Sequence, residues 1–114
     1  MAARRWAETW QRGWNELDAA SVVALYADDC RLFLSHPFRS HEPPREYVER
    51  ALADTEWAEP WFGEPLVDGD RAAVEWSAET KLKDGGTEKL AGVSLLQFNL
   101  DGLVIEQRDF WASG

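Results

Sequence analysis

Three short Asp-Gly turns divide the second half of the chain into strand-sized pieces, and no other feature of the sequence restricts the fold as much. "DGD" at 68–70, "DGG" at 84–86 and "DG" at 101–102 stand before "AAVEWSAETKL", "EKLAGVSLLQFN" and "LVIEQRDFW". Asp-Gly supplies the left-handed backbone that tight hairpins need. The spacing therefore predicts an antiparallel meander. Its middle strand is apolar on both faces, with Val93 and Leu95 on one and Ser94, Leu96 and Phe98 on the other. Such a strand is expected to be covered on both sides, by helices on one and by a second subunit on the other.

The first half reads differently. Trp6, Trp10, Trp14 and Leu17 recur at helical spacing and predict a helix from Ala2 to Leu17, weakened a little by Gly13. Asp18 is a suitable cap for a second, short helix, "AASVVALYA". "CRLFLSH", residues 30–36, reads as a strand with Leu32, Leu34 and His36 on one face. A third helix is predicted through "REYVERALAD", opened by Pro43 or Pro44. "TEWAEPWFGEPLV" carries prolines that allow only an edge strand or a loop. Helices first and a meander after them predict an α+β domain, and 114 residues make a single one, 1–114.

Composition narrows the function classes. Twelve basic against twenty-one acidic residues leave a formal charge of −9, which opposes binding to phosphate backbones or anionic lipid. The lone Cys30 has no internal partner and suits a reducing compartment. The start of the chain lacks the apolar run of a signal peptide, and no stretch is long and apolar enough for a membrane span. The expectation is a cytoplasmic protein with no nucleic-acid or membrane partner. Seven tryptophans are many for a chain of this length, which points to a pocket or an interface, with core filling as the alternative. His36, His41, Cys30 and Glu42 do not follow a metal-ligand spacing, and no glycine-rich phosphate loop precedes a helix, so neither metal nor cofactor is expected.

The motifs together carry a resemblance. "WNELDAASVVALYADDCRLFLSHPF", "VDGDRAAVEW" and "DGLVIEQRDFW" are similar in order and spacing to the opening, a middle strand and the ending of SnoaL-like proteins of the NTF2-like superfamily. The resemblance implies an NTF2-like cone: a curved antiparallel sheet wrapped around an N-terminal helix, three helices in all, with an internal apolar pocket. It also implies a homodimer through the outer sheet face.

The family's chemistries do not map intact onto the chain. At the ketosteroid isomerase positions for base, acid and tyrosine stand Leu34, Ser94 and Trp10. The Asp-Arg-Asp set of limonene-epoxide hydrolases meets Ser94 and Leu96 on the penultimate strand. Asp109 matches the late aspartate of SnoaL-type polyketide cyclases, but the preceding strand has no histidine.

Strand register then suggests the pocket's lining. The last strand would turn Ile105, Gln107, Asp109 and Trp111 inward and Val104, Glu106, Arg108 and Phe110 outward. Ser94 and Leu96, Trp76, Leu34, and Trp10, Trp14 and Tyr26 from the helices complete the candidate ligand-binding set. Asp109 is the candidate general acid/base, with desolvation expected to raise its pKa. Its alternative is a structural ion pair with Arg108 or another arginine. His36 is a second catalytic candidate as a rim proton shuttle, or else simply opens the "HPF" turn. Two functions stay open: a binding protein for a small organic molecule, and a cyclase, isomerase or dehydratase working through Asp109.

Overall fold

The computed structural model describes residues 2–34, 38 and 40–114. Helix α1 spans Ala2–Glu16, α2 Ala19–Val23 and α3 Pro44–Ala53. Strands are β1 Tyr26–Phe33, β2 Thr55–Phe62, β3 Leu66–Asp68, β4 Arg71–Leu82, β5 Thr87–Phe98 and β6 Val104–Ser113. The sheet order is β1-β6-β5-β4-β2, with β3 beside the first part of β4. All three Asp-Gly turns lie where hairpin chemistry puts them, and Gly69, Gly85 and Gly102 have positive φ.

Two expectations change. β1 runs parallel to β6, so the curved, open sheet is mixed and not wholly antiparallel. The chain also leaves helix earlier than its apolar run suggests. α2 ends after Val23, and Tyr26 already pairs with Val104 in β1. Strand β6 offers a ladder at this point, and Val104 N–H donates to Leu25 O at 2.9 Å. Pairing with it satisfies backbone groups that a longer α2 would leave at its end.

Between Glu16 and Ala19 the chain reverses tightly. Leu17 takes φ +57° and Asp18 N–H reaches back to Gly13 O at 2.8 Å. Asp18 caps α2, accepting from Ser21 N at 3.2 Å and from Ser21 Oγ at 2.6 Å. Gly13 has a packing reason as well: a Cβ there would come within 2.6 Å of Val22 Cγ2. The proline-containing segment becomes two edge strands, broken at Gly63–Pro65.

α1 lies on the concave side of the sheet with Ala3, Trp6, Ala7 and Trp10 buried. The inner face of β4 alternates Ala72, Val74, Trp76, Ala78 and Thr80, all buried, and β5 adds Ser94, Leu96 and Phe98. In β6 a bulge at Ile105 alters the expected alternation. Gln97 faces Glu106 but Phe98 faces Val104, so Val104 turns inward and is fully buried. Beyond the bulge Gln107 and Asp109 share that face, as the strand pattern predicts. No helix among the described residues is long and apolar enough to cross a membrane.

Candidate functional site

Between α1, α3 and the concave sheet face lies a cavity of about 290 Å³. α1 presents Trp6, Trp10 and Trp14 to it, β2 presents Phe62, and β4 presents Trp76 and Thr80. Tyr47, Ala51 and Leu52 of α3 form a further wall. Ser94, Gln107, Asp109 and Trp111 come from β5 and β6. Asp54, Glu88 and Trp111 are exposed, which marks their end as the mouth. A larger hollow of about 530 Å³ between α1 and the 59–65 segment is bordered by surface charges already paired, Arg4 with Glu64 and Arg12 with Glu16.

The aromatic wall is continuous. Phe62 lies 5.5 Å edge-on from Trp6 and stacks on Trp10 at 6.4 Å and on Trp76 at 6.3 Å. Trp14 meets Trp10 at 5.9 Å and Trp76 at 6.0 Å. Gly92 sits between Trp76 and Trp111 in the sheet register. A Cβ at Gly92 would fall 2.3 Å from the carbonyl oxygen of Phe110 and 2.7 Å from Trp111 Cβ.

A directed hydrogen-bond network ends on Asp109. The indole N–H groups of Trp6 and Trp10 both donate to Tyr26 Oη, at 3.2 and 2.9 Å. With its lone pairs so used, the tyrosine gives its one proton to Gln107 Oε1 at 2.6 Å. That fixes the amide, whose Nε2 donates to Asp109 Oδ1 at 3.0 Å and Oδ2 at 3.2 Å. From the other side Trp76 Nε1 donates to Ser94 Oγ at 3.0 Å, and Ser94 donates to Asp109 Oδ1 at 2.6 Å. Oδ1 is thus well satisfied, while Oδ2 has only the longer amide contact.

Burial pushes the Asp109 carboxyl up to about 6 from an ordinary 3.8, against the opposing pull of the Ser94 and Gln107 hydrogen bonds. Burial also raises the Tyr26 phenol well above its usual range. Among the described residues no arginine pairs with Asp109, which was the expected alternative. Arg108 is on the opposite face of β6 and pairs there with Glu106 at 3.6 Å, where Arg31 also meets Glu106 at 2.6 Å. Among the described residues, no lysine or arginine lines the cavity.

Trp10, Trp14, Trp76, Ser94, Gln107, Asp109 and Trp111 are brought together on the cavity. Tyr26 stands behind it, on β1 and not on a helix, and reaches it through its hydrogen bonds with Gln107, Trp6 and Trp10. Leu34 and Leu96 are buried but lie off the cavity. The reasons differ: Leu34 follows the end of β1, whereas Leu96 points into the packed core. His36 lies outside the described residues. His41 rests edge-on against Phe33 at 5.5 Å, and Arg50 pairs with the neighbouring Glu42 at 2.9 Å. Sequence reasoning missed Trp6, Phe62, Thr80 and the α3 wall. Trp6 shares the helical stripe of Trp10 and Trp14, so the signal for it was present. Phe62 was hidden in the segment with no clear periodicity. No group of three metal-ligating side chains occurs among the described residues.

A model of the SnoaL-like domain matches residues 3–107. The chain belongs to the SnoaL-like domain family. No curated protein matches this SnoaL-like chain by sequence. Among solved structures it is similar to an NTF2-like protein of unknown function from Exiguobacterium sp. 255-15, at 14% identity over 98% of each chain with a TM-score of 0.78. It is also similar to SalBIII, an epoxide hydrolase/cyclase-like enzyme of pyran ring formation in the polyether salinomycin. There the identity is 19%, over 97% of this chain and 90% of that one, with a TM-score of 0.80. A third is Rv0760c from Mycobacterium tuberculosis, solved with estradiol-17beta-hemisuccinate, at 22% identity over 97% and 94% with a TM-score of 0.75. These likenesses establish the NTF2-like α+β cone for this SnoaL-like chain.

Proposed function

We propose that this SnoaL-like protein binds a small organic molecule in the aromatic cavity, with Asp109 as its polar anchor. One observation carries the reading: a buried carboxylate, with no cationic partner among the described residues, stands on the wall of a mostly apolar cavity rich in aromatic rings. Concave, mostly apolar sites with a few convergent polar groups are the usual form of ligand pockets. Relatives of the same fold include one solved with a steroid ester.

A second reading, an enzyme of isomerase, cyclase or dehydratase type, has its own supporting observation. A carboxyl held near 6 is mostly ionised at neutral pH yet basic enough to take a proton from carbon next to a carbonyl. Oδ2 has the lone pairs for that transfer, and Gln107 and Ser94 keep the carboxylate in place through Oδ1. A ligand-induced melting screen tests both readings, run on wild type and Asp109→Asn. Hits whose stabilisation drops in the variant support the anchor. Hits that stabilise both equally overturn it. Turnover of a hit by wild type and not by the variant decides for the enzyme.

We also infer a homodimer through the outer sheet face, in a reducing, cytoplasmic setting. Val93 and Phe110 are cross-strand neighbours there and are 36% and 40% exposed. Cys30 is buried and its thiol is pushed up to about 12 by burial, which leaves it unreactive.

A further inference from the structure

We propose that the molecule held in the cavity is a small organic cation, a protonated or quaternary amine whose nitrogen lies between Asp109 and the tryptophan faces. This deepens the pocket reading and does not depend on catalysis by Asp109.

Most of the hydrogen-bond donors on the cavity wall are already engaged within the protein. The indole hydrogens of Trp6, Trp10 and Trp76 are spent on Tyr26 and Ser94. The Ser94 hydroxyl and the Gln107 amide spend theirs on Asp109. What faces a ligand is therefore the acceptor Oδ2, a set of electron-rich rings, the Thr80 hydroxyl, the indoles of Trp14 and Trp111 and, at the mouth, Asp54 and Glu88. The other ionisable groups around the site are the phenols of Tyr47 on α3 and of Tyr26 behind Gln107, and no basic side chain lines it among the described residues.

An anion entering such a site would lose its hydration with no cation to replace it. A neutral molecule would gain apolar contact and, where it carries a donor, a hydrogen bond to Oδ2, but no charge pairing. A cation gains that contact, the pairing with Asp109 and the attraction of the ring faces. The ammonium also supplies a positive partner, which the buried carboxylate does not find among the described residues.

Size and a second polar group refine the class. The volume of about 290 Å³ is roughly twice the ~150 Å³ of an apolar cavity that accepts benzene, which suits about one to two rings. Thr80 is 3% exposed, lines the cavity, and its hydroxyl has no hydrogen-bond partner. Such an unmet group is costly unless something fills it. A hydroxyl or carbonyl on the ligand, away from the ammonium, would do so.

The test uses three probes of one shape: phenyltrimethylammonium, its neutral isostere tert-butylbenzene, and the anion 2-methyl-2-phenylpropanoate. Binding is read from tryptophan fluorescence near neutral pH, where the quaternary probe does not titrate. The cation is expected to bind about tenfold or more tighter than the neutral probe, and the anion weaker than either. In Asp109→Asn the ratio between cation and neutral probe should fall to about threefold or less. The wild-type order stands by itself if that variant does not fold. Neutral binding as tight as the cation's, or an unchanged ratio in Asp109→Asn, overturns the inference and leaves the pocket reading intact. Binding of neither the cation nor the neutral probe overturns both.

Discussion

Asp109 titrates near 6 in the fold and near 3.8 in an ordinary setting, and that difference is a stability statement. Between those values the folded chain binds more protons than the unfolded chain. Asp109's contribution is therefore fully present below about pH 4 and is lost as pH rises through about 6. At 1.36 kcal/mol per pKa unit the shift corresponds to about 3 kcal/mol. The difference in unfolding free energy between wild type and Asp109→Asn, measured by urea titration across that window, should change with this sign. A flat difference would show that Asp109 is not desolvated. Tyr26 offers a second check. Tyr26→Phe leaves two indole donors without their acceptor and Gln107 Oε1 without its donor. It should cost about 1–3 kcal/mol in urea unfolding. An NMR titration of the same variant should show an altered Asp109 pKa, because Gln107 is no longer held toward the carboxylate.

At the scale of elements, two glycines govern how closely the pieces approach. Gly13→Ala would gain about 1 kcal/mol of helix propensity in isolation. In this fold the new methyl meets Val22, which is fully buried, so overpacking of about 1–3 kcal/mol should win. A variant that melts higher than wild type would contradict that packing. Gly92→Ala is expected to be worse, since its methyl strikes the backbone of β6 and not a movable side chain. It should weaken the β5–β6 pairing beside Trp111, and faster amide hydrogen exchange on those two strands is the signature. The sequence showed both glycines but not their reasons. Gly13 reads as a weak helix position, and its need appears only when α2 folds back against it. The bulge at Ile105 is similar. Strict alternation places Ile105 inward, whereas pairing with β5 across the bulge turns Val104 inward and keeps Gln107 and Asp109 on the cavity.

For the whole molecule, the outer sheet face is where the dimer proposal lies. In the proposed dimer, charge placed on the exposed Val93–Phe110 pair should prevent association. A light-scattering mass of two chains for wild type and one for Phe110→Glu, with the fold unchanged by circular dichroism, is the expected result. A wild-type monomer at micromolar concentration would remove the proposal.

The sequence by itself determined the order of the three helices and the later strands, the Asp-Gly turns, the cap at Asp18 and the family. Each of these depends on local backbone chemistry or on short periodic patterns. It also placed Asp109 beside Gln107 on one strand face, since alternation beyond the bulge is local. Only the tertiary structure decided what surrounds that carboxylate. Tyr26, Ser94 and the tryptophans come from four different elements, and the direction of each hydrogen bond follows from their meeting. Arg108 is next to Asp109 in the chain, yet pleating sends it to the other side of the sheet, where it pairs with Glu106. Burial is what raises the carboxyl, and burial is a property of the assembled cone.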